Sequence, residues 1–199
     1  MPADDMETSG NRALRFKAID ARELSRIYPV HMVRDFPADE LKPLGMLVAC
    51  LRAGTCRCYG LYDGAELATY AAVLLDAPGA AGVLDYLATA PAFRGRGLGG
   101  EMLRRLRAEL SDVAGLIIEY EAPADALSAA DRDLRARREA FYLRNGARRT
   151  GIDLIVFGVH YRVGFLPCAR DLPDPEVKRM QIAIYDRVNS WDYHFLDEL

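Results

Sequence analysis

The sequence contains no apolar run that approaches the roughly 20 residues needed to cross a membrane. Its first ten residues are polar and acidic, and they lack the apolar core that an export signal requires. We therefore expect a soluble cytoplasmic protein that neither spans a membrane nor binds one. Residues 1–12 also show no helix or strand pattern, and we interpret them as a disordered leader.

A strong charge of one sign is also absent. The 26 Lys and Arg residues nearly balance the 29 Asp and Glu residues, and the formal net charge is −3. This balance argues against nucleic acid as a partner, and a content of 51% hydrophobic residues argues against disorder of the whole chain. The 199 residues suit one domain that is large enough to bury a hydrophobic core.

Cysteine is scarce, and the four cysteines lack the spacing of a metal site. Cys56 and Cys58 alternate along a predicted strand, so both side chains should face the same side, whereas Cys50 and Cys168 stand apart. We interpret all four as free thiols in a reducing compartment, and we expect no metal ion.

The most informative stretch runs from Leu84 to Leu103. An apolar, strand-like segment turns at Pro91, and four glycines between positions 95 and 100 then lead into an amphipathic helix. The first N–H groups of a helix have no partner inside it and lie at the positive end of its dipole. Glycine lets an anion approach those groups because it has no Cβ atom. The stretch therefore predicts a phosphate-binding loop.

Two common phosphate-binding signatures fit this loop poorly. A Walker A loop is excluded because no Gly-Lys-Ser or Gly-Lys-Thr follows. Gly95, Gly97 and Gly100 match the letters of the dinucleotide fingerprint, but the surrounding βαβ repeat and the acidic residue after a second strand are missing. The simpler alternative is an ordinary strand, turn and helix whose arginines serve solubility.

The run as a whole is more specific than its glycines. Arg94-x-x-Gly97-x-Gly99, after a strand that ends in Leu87-Ala88-Thr89-Ala90-Pro91, resembles the pyrophosphate-binding signature of the GNAT N-acetyltransferase superfamily. The resemblance implies acetyl-CoA as the cosubstrate, with the strand bonding its pantetheine arm and the loop bonding its pyrophosphate. The residues that it implies for binding acetyl-CoA are Leu87, Ala88, Thr89, Arg94, Gly95, Arg96, Gly97, Leu98, Gly99 and Gly100.

A second segment, Ala140-Phe141-Tyr142-Leu143-Arg144-Asn145-Gly146-Ala147, resembles the motif that closes the fourth helix of the same superfamily. The GNAT fold that both motifs imply is α/β (α+β), with a central mixed, mostly antiparallel sheet of about seven strands. Helices flank this sheet, and it is splayed at the acetyl-CoA cleft. We expect an acetyltransferase domain over residues 13–166 and a C-terminal helical extension over 167–199 that packs on the same domain.

The catalytic candidates come from the same resemblance. Tyr142 lies where the superfamily often has the general acid for the CoA thiolate, and the alternative is a core aromatic beside Phe141. Glu119 and Glu121 are two apart on a predicted strand, so both point into the cleft or both point away. If they point inward, Glu119 is the stronger candidate for the base or the amine anchor. Asp85 is a second candidate, and a water chain without a dedicated base is a further option.

The function implied is direct transfer of an acetyl group from acetyl-CoA to an amine in a ternary complex. The acceptor is expected to be a small amine or a peptide, and the resemblance leaves a homodimer open. The alternative is a non-catalytic regulatory module of the same fold that binds acyl-CoA, although the chain retains both the glycine loop and Tyr142. The acceptor-pocket candidates, indicated by position alone, are Phe36, Pro37, Asp39, Glu40 and Tyr161.

Overall fold

A computed structural model describes residues 13–77, 79–156, 158–188 and 193–196 of the chain. The predicted leader over residues 1–12 lies outside these ranges, as does most of the chain after residue 188. The division into a domain over 13–166 and an extension over 167–199 stays a prediction. None of the helices in the described ranges is long and apolar enough to cross a bilayer.

The described residues form one sheet of eight strands, in the order β1-β2-β3-β4-β5-β7-β6-β8. All neighbours are antiparallel except β4 and β5, which are parallel. The predicted mixed, mostly antiparallel sheet is confirmed, and the short β8 lies in the final segment. The strands are β1 (Arg15–Ile19), β2 (Cys56–Asp63), β3 (Glu66–Leu75), β4 (Gly82–Thr89), β5 (Gly115–Glu121), β6 (Arg148–Val156), β7 (Val159–Pro167) and β8 (Tyr193–Phe195).

Capping residues explain where two helices begin. The side chain of Asp20 accepts a hydrogen bond from the N–H of Glu23 and starts α1 (Ala21–Ile27). The chain then continues through a π-helical turn at Tyr28–Met32 and a short α2 (Val33–Asp35), which the pattern does not predict. Pro29 explains this turn, because it has no N–H to continue an α-helical ladder.

The other helices are α3 (Leu44–Ala53), α4 (Leu98–Glu109), α5 (Ala129–Arg144) and α6 (Asp174–Val188). The second capping residue is Ser128, whose side chain accepts a hydrogen bond from the N–H of Asp131 at the start of α5.

Helices cover both faces of the sheet and bury a core on each. Alternation along β5 sends Ile117 to one face and Ile118 to the other. The face with Ile117 packs against α1, α3 and α6, and the face with Ile118 packs against α4. The flanking helices of the predicted fold are thus confirmed.

The sheet opens between β4 and β5. These strands pair only at Gly82 with Leu116 and at Val83 with Ile117, although β4 runs on to Thr89 and β5 runs on to Glu121. A β-bulge lies just beyond the last pair, because Leu84 and Tyr86 face consecutive residues of β3 and leave Asp85 without a partner. A bulge bends its strand and re-aims the next side chains. The predicted splayed cleft is therefore confirmed.

Candidate active site

A cavity of about 600 Å³ occupies the space where β4 and β5 separate. Its walls come from β4, β5, the segment between α2 and α3, and the C-terminal half of α5. All five acceptor-pocket candidates from the sequence line it, together with Leu87, Ala88 and Thr89 of β4. The other wall residues that the argument uses are Asp35, Lys42, Asp85, Arg94, Glu119, Glu121, Arg138 and Tyr142.

The glycine loop presents an open helix N-terminus at the end of β4. Gly95 and Gly97 both have φ of 76°, a left-handed conformation that only glycine adopts readily. Gly97 is the N-cap of α4, and no side chain caps this helix. A Cβ atom built on Gly97 would meet nothing within 4 Å, so the space beside these N–H groups is open. A phosphate can therefore approach the first turn of α4 directly.

The two later glycines, Gly99 and Gly100, lie against α5. A Cβ atom on Gly99 would lie 3.1 Å from Cζ of Phe141, and one on Gly100 would lie 2.6 Å from Oδ1 of Asn145. Both positions need glycine because α5 packs directly on the first turn of α4. Gly99 and Gly100 stay predicted contacts of acetyl-CoA, and the close packing of α5 is a second constraint on these two positions.

The arginines of the loop lie in different surroundings. The Nε–H of Arg94 donates to the carbonyl of Thr89 at 3.1 Å, and an Nη2 atom of Arg94 lies 3.6 Å from the carboxylate of Asp35. Arg94 is thus held at the end of β4 and lines the cavity. Arg96 instead lies over the ring of Phe93, 5.2 Å from its centroid. Both remain predicted contacts of acetyl-CoA.

The edge of β4 that faces the cavity is available for hydrogen bonding. Leu87, Ala88 and Thr89 pair with β3 on their other side. On the cavity side, no described strand pairs with them, because β5 has already diverged. Backbone N–H and C=O groups at such an edge seek partners. This arrangement is compatible with the predicted bonding of a pantetheine arm.

Tyr142 lies on the α5 side of the cavity, and its hydroxyl is available to a substrate. Its ring packs between Tyr120, at a centroid distance of 6.2 Å, and Phe141, at 5.1 Å. No other described residue is hydrogen-bonded to the hydroxyl. Burial raises the pKa of this phenol, and the nearby guanidinium of Arg138 opposes the rise. The phenol therefore keeps its proton at neutral pH.

Glu119 and Glu121 both line the cavity, as their shared face allows, but they have different partners. Glu119 accepts hydrogen bonds from Gln181 Nε2, at 2.5 Å, and from the hydroxyl of Tyr185. Burial raises the pKa of the Glu119 carboxyl, while these two bonds oppose the rise. Glu121 is ion-paired to two guanidinium groups of α5, those of Arg135 at 3.1 Å and Arg138 at 2.9 Å.

Asp85, the second candidate base, is already neutralised. Its Oδ1 atom is 2.6 Å from the ammonium group of Lys42, and both side chains are less than 10% exposed. Burial raises the pKa of Asp85, and Lys42 opposes this. The β-bulge explains the pair, because it turns both Asp85 and Tyr86 toward Lys42, whose backbone N–H donates to the Tyr86 hydroxyl.

The cavity carries an excess of negative charge. Its described wall residues include six carboxylates and three cationic side chains, and two further arginines behind the wall, Arg34 and Arg135, pair with Asp35 and Glu121. Burial raises the pKa of Glu40, and the charge of Glu121 raises it further. Burial also raises the pKa of Tyr161 to about 12, with contributions from Glu40, Glu121 and Glu119. Burial is the largest cause of both shifts, and only the smaller contribution from the neighbouring carboxylates favours a bound cation.

Sequence reasoning missed Lys42, Gln181 and Tyr185. Lys42 and Asp85 are 43 residues apart, and Gln181 is 62 residues from Glu119, so no local motif links them. One signal was present in α6. Gln181 stands four residues after the buried Val177 and three before the buried Ile184, so a polar residue interrupts an apolar stripe.

Residues 17–132 match the sequence model of the Acetyltransferase (GNAT) family. No curated protein matches the chain. A solved structure from Bacteroides thetaiotaomicron, assigned to the GNAT family, is 20% identical with a TM-score of 0.66 and covers 85% of this chain and 93% of its own. The ribosomal-protein-S18-alanine N-acetyltransferase from Escherichia coli is 19% identical with a TM-score of 0.57 and coverages of 80% and 97%.

A third similar structure is the spermidine N-acetyltransferase from Vibrio cholerae in complex with CoA and spermine. It is 10% identical to this chain, with a TM-score of 0.59, and the match covers 80% of this chain and 98% of the other. At such identities the structural likeness speaks for the fold alone. The family match, which spans more than half of the chain, rests on sequence.

Proposed function

Because the chain belongs to the GNAT family of acetyltransferases, we propose that it transfers an acetyl group from acetyl-CoA to a primary amine. The observation that carries the proposal is the cavity between β4 and β5. It brings the open edge of β4, a phenol that has no hydrogen-bond partner among the described residues, and a buried carboxylate into one space of about 600 Å³. An uncapped helix N-terminus stands at the end of the same strand.

The chain offers a place for the pyrophosphate and for the pantetheine arm of acetyl-CoA, which supplies the thioester. The N–H groups at the start of α4 suit the pyrophosphate, since Gly97 leaves them open. The free edge of Leu87, Ala88 and Thr89 suits the amide groups of the pantetheine arm. In this proposal Arg94 adds a charged contact, which is worth only about 1 kcal/mol because its side chain is 62% exposed.

The acceptor is a cationic amine, drawn into the cavity by its carboxylates. Glu40 and Glu121 stand near the ring of Tyr161, and Glu119 lies deeper along β5. Similar structures include enzymes named for spermidine and for the alanine of a ribosomal protein, so both small amines and peptide N-termini fall within this chemistry. The cytoplasmic location, the homodimer and the absence of membrane or nucleic-acid partners stay predictions.

Glu119 and Tyr142 divide the proton transfers. An attacking amine must be neutral, and Glu119, with a pKa raised by burial, accepts the proton that the ammonium group loses. The amine nitrogen bonds to the thioester carbon while the free N–H groups of β4 stabilise the developing oxyanion. The C–S bond then breaks, Tyr142 donates its proton to the departing thiolate, and the nitrogen of the new amide releases its second proton to water. Exchange with water returns a proton to Tyr142 and removes one from Glu119.

Two measurements test this proposal. Calorimetry should detect acetyl-CoA binding, and thiol release with a panel of primary amines should reveal turnover. Glu119→Gln should lower kcat or raise the KM of the amine and leave the affinity for acetyl-CoA unchanged. Binding without turnover for any amine would favour the regulatory module instead. Absence of binding would remove the basis of the proposal.

A further inference from the structure

We propose that Gln181 and Tyr185, on a helix beyond the family match, are positioning residues that hold Glu119 as the proton acceptor of the reaction. This inference rests on the proposed function. The matched residues end at 132, whereas both side chains belong to α6, which begins at Asp174. Neither residue therefore lies in the part of the chain that matches the family.

Two hydrogen bonds from α6 fix the orientation of the Glu119 carboxylate. Gln181 and Tyr185 are one helical turn apart, and both donate to Oε1 of Glu119. Two donors on one oxygen fix the plane of the carboxylate and leave its other oxygen unengaged by these two residues. Both donors are fully buried, so their rotamers are fixed by packing.

The helix that carries the two donors is itself anchored on the sheet. Asp174, at its start, lies 2.6 Å from the guanidinium of Arg148 and accepts the N–H of Gly151 at 2.8 Å. Val177 and Ile184 are completely buried on the same stripe. The α6 donors therefore keep their place relative to β5 with little freedom.

The hydrogen bonding of the Gln181 side chain favours a positioning role for this residue over a purely structural one. Its amide donates to Glu119, but its Oε1 atom is buried without a partner among the described residues. An orphaned buried carbonyl costs stability, so a methionine of similar length would serve the core at least as well. What the glutamine adds at this position is its hydrogen bond to the carboxylate.

The hydrogen bonds from Gln181 and Tyr185 act against other influences on the pKa of Glu119. Asp85 of β4 adds a like charge, Lys42 before α3 adds an opposite one, and Tyr161 of β7 stands at the same wall. Burial favours the protonated carboxyl, and the two α6 donors favour the carboxylate. Without them, Glu119 would hold its proton at higher pH and accept fewer protons from an amine at neutral pH.

The test compares Tyr185→Phe and Gln181→Met with the unmodified protein. In protein labelled with ¹³C at glutamate side chains, the titration of the Glu119 carboxyl is followed by NMR and assigned with Glu119→Gln. Both variants should move the midpoint upward. The acid limb of the pH profile of kcat/KM should move with it, giving roughly a tenfold loss at pH values on that limb and full recovery above it.

Tyr62→Phe is the matched control, because the hydroxyl of Tyr62 donates to Glu23 at 2.6 Å outside the cavity. It removes the same kind of bond and should leave both the Glu119 midpoint and the pH profile unchanged. An unchanged midpoint in folded Tyr185→Phe and Gln181→Met would overturn the inference, and Gln181→Met alone decides if Tyr185→Phe does not fold. Lack of turnover in the unmodified protein would instead overturn the proposed function, while the NMR titration still decides what α6 does to Glu119.

Discussion

Replacing Tyr142 by phenylalanine removes one hydroxyl group and keeps the ring that packs on Tyr120 and Phe141. Since no described residue is hydrogen-bonded to this hydroxyl, its loss should change the free energy of unfolding by less than about 1 kcal/mol. If the phenol protonates the departing thiolate, kcat should fall by roughly 10² or more, which corresponds to about 2.7 kcal/mol of transition-state free energy. The affinity for acetyl-CoA should remain within about twofold.

The assay is thiol release from acetyl-CoA at saturating amine, combined with thermal unfolding of the same samples. Tyr120→Phe provides the control, because Tyr120 is buried, stacks on Tyr142 and reaches Glu139 at 3.4 Å. That variant should lose stability and keep its turnover. A Tyr142→Phe protein with near-normal kcat and a lower Tm would show that the tyrosine is a packing residue, and the assignment of the acid would be wrong.

Three further predictions concern the loop, a buried ion pair and the start of α4. Gly97→Ala should weaken acetyl-CoA binding in calorimetry and cost ~1 kcal/mol of stability. Gly54, at the end of α3, has nearly the same φ (74°), so Gly54→Ala should cost a similar amount of stability and leave the affinity for acetyl-CoA unchanged. Lys42→Met should lower the free energy of unfolding in urea by roughly 3–5 kcal/mol, because it leaves the buried carboxylate of Asp85 without its cation. Arg57→Met, which breaks the exposed pair with Asp112, should cost less than about 1 kcal/mol, and equal losses in the two variants would contradict this. Hydrogen bonds from Arg104 and Arg105 lower the pKa of Glu101 from 4.5 to about 2, although partial burial opposes the shift. The Glu101 carboxylate should therefore stabilise the fold above pH 4.5 and lose this effect as the pH falls through 2, where Glu101→Gln should be as stable as the unmodified protein. A stability difference that does not change with pH would refute the pairing.

Local sequence signals predict the frame of the site well. The run from Leu84 to Leu103 identifies a strand, a glycine-rich turn and a helix, and the structure contains these elements, with Gly95 and Gly97 left-handed in the turn. The placement of Glu119 and Glu121 on one strand face also follows from the two-residue period. Such features depend on neighbours within a few residues, so the sequence carries them directly.

The partners of the site residues could not be predicted, because they depend on contacts between distant segments. The bulge at Asp85 shifts the period of β4 by one residue, so Asp85 and Tyr86 both reach Lys42 although their spacing predicts opposite faces. Glu119 is hydrogen-bonded by protein side chains because α6, whose Gln181 comes 62 residues later in the sequence, packs on the sheet beside it. Burial and pairing set the pKa of a carboxyl, and neither has a local sequence signature.

The packing of Gly99 and Gly100 joins the two motifs that the sequence shows separately. A side chain at either position would push α5 away through Phe141 or Asn145, and α5 also carries Tyr142. Gly99→Glu would therefore disturb the phosphate loop and the candidate acid together, and a loss of activity in that variant would not distinguish them. Gly97 lacks this coupling, because a Cβ atom there meets open space and the strain stays in the loop. The close contact between α4 and α5 thus couples the loop to the segment that carries Tyr142, and Gly97, which lacks this contact, is the position at which anion binding can be altered alone.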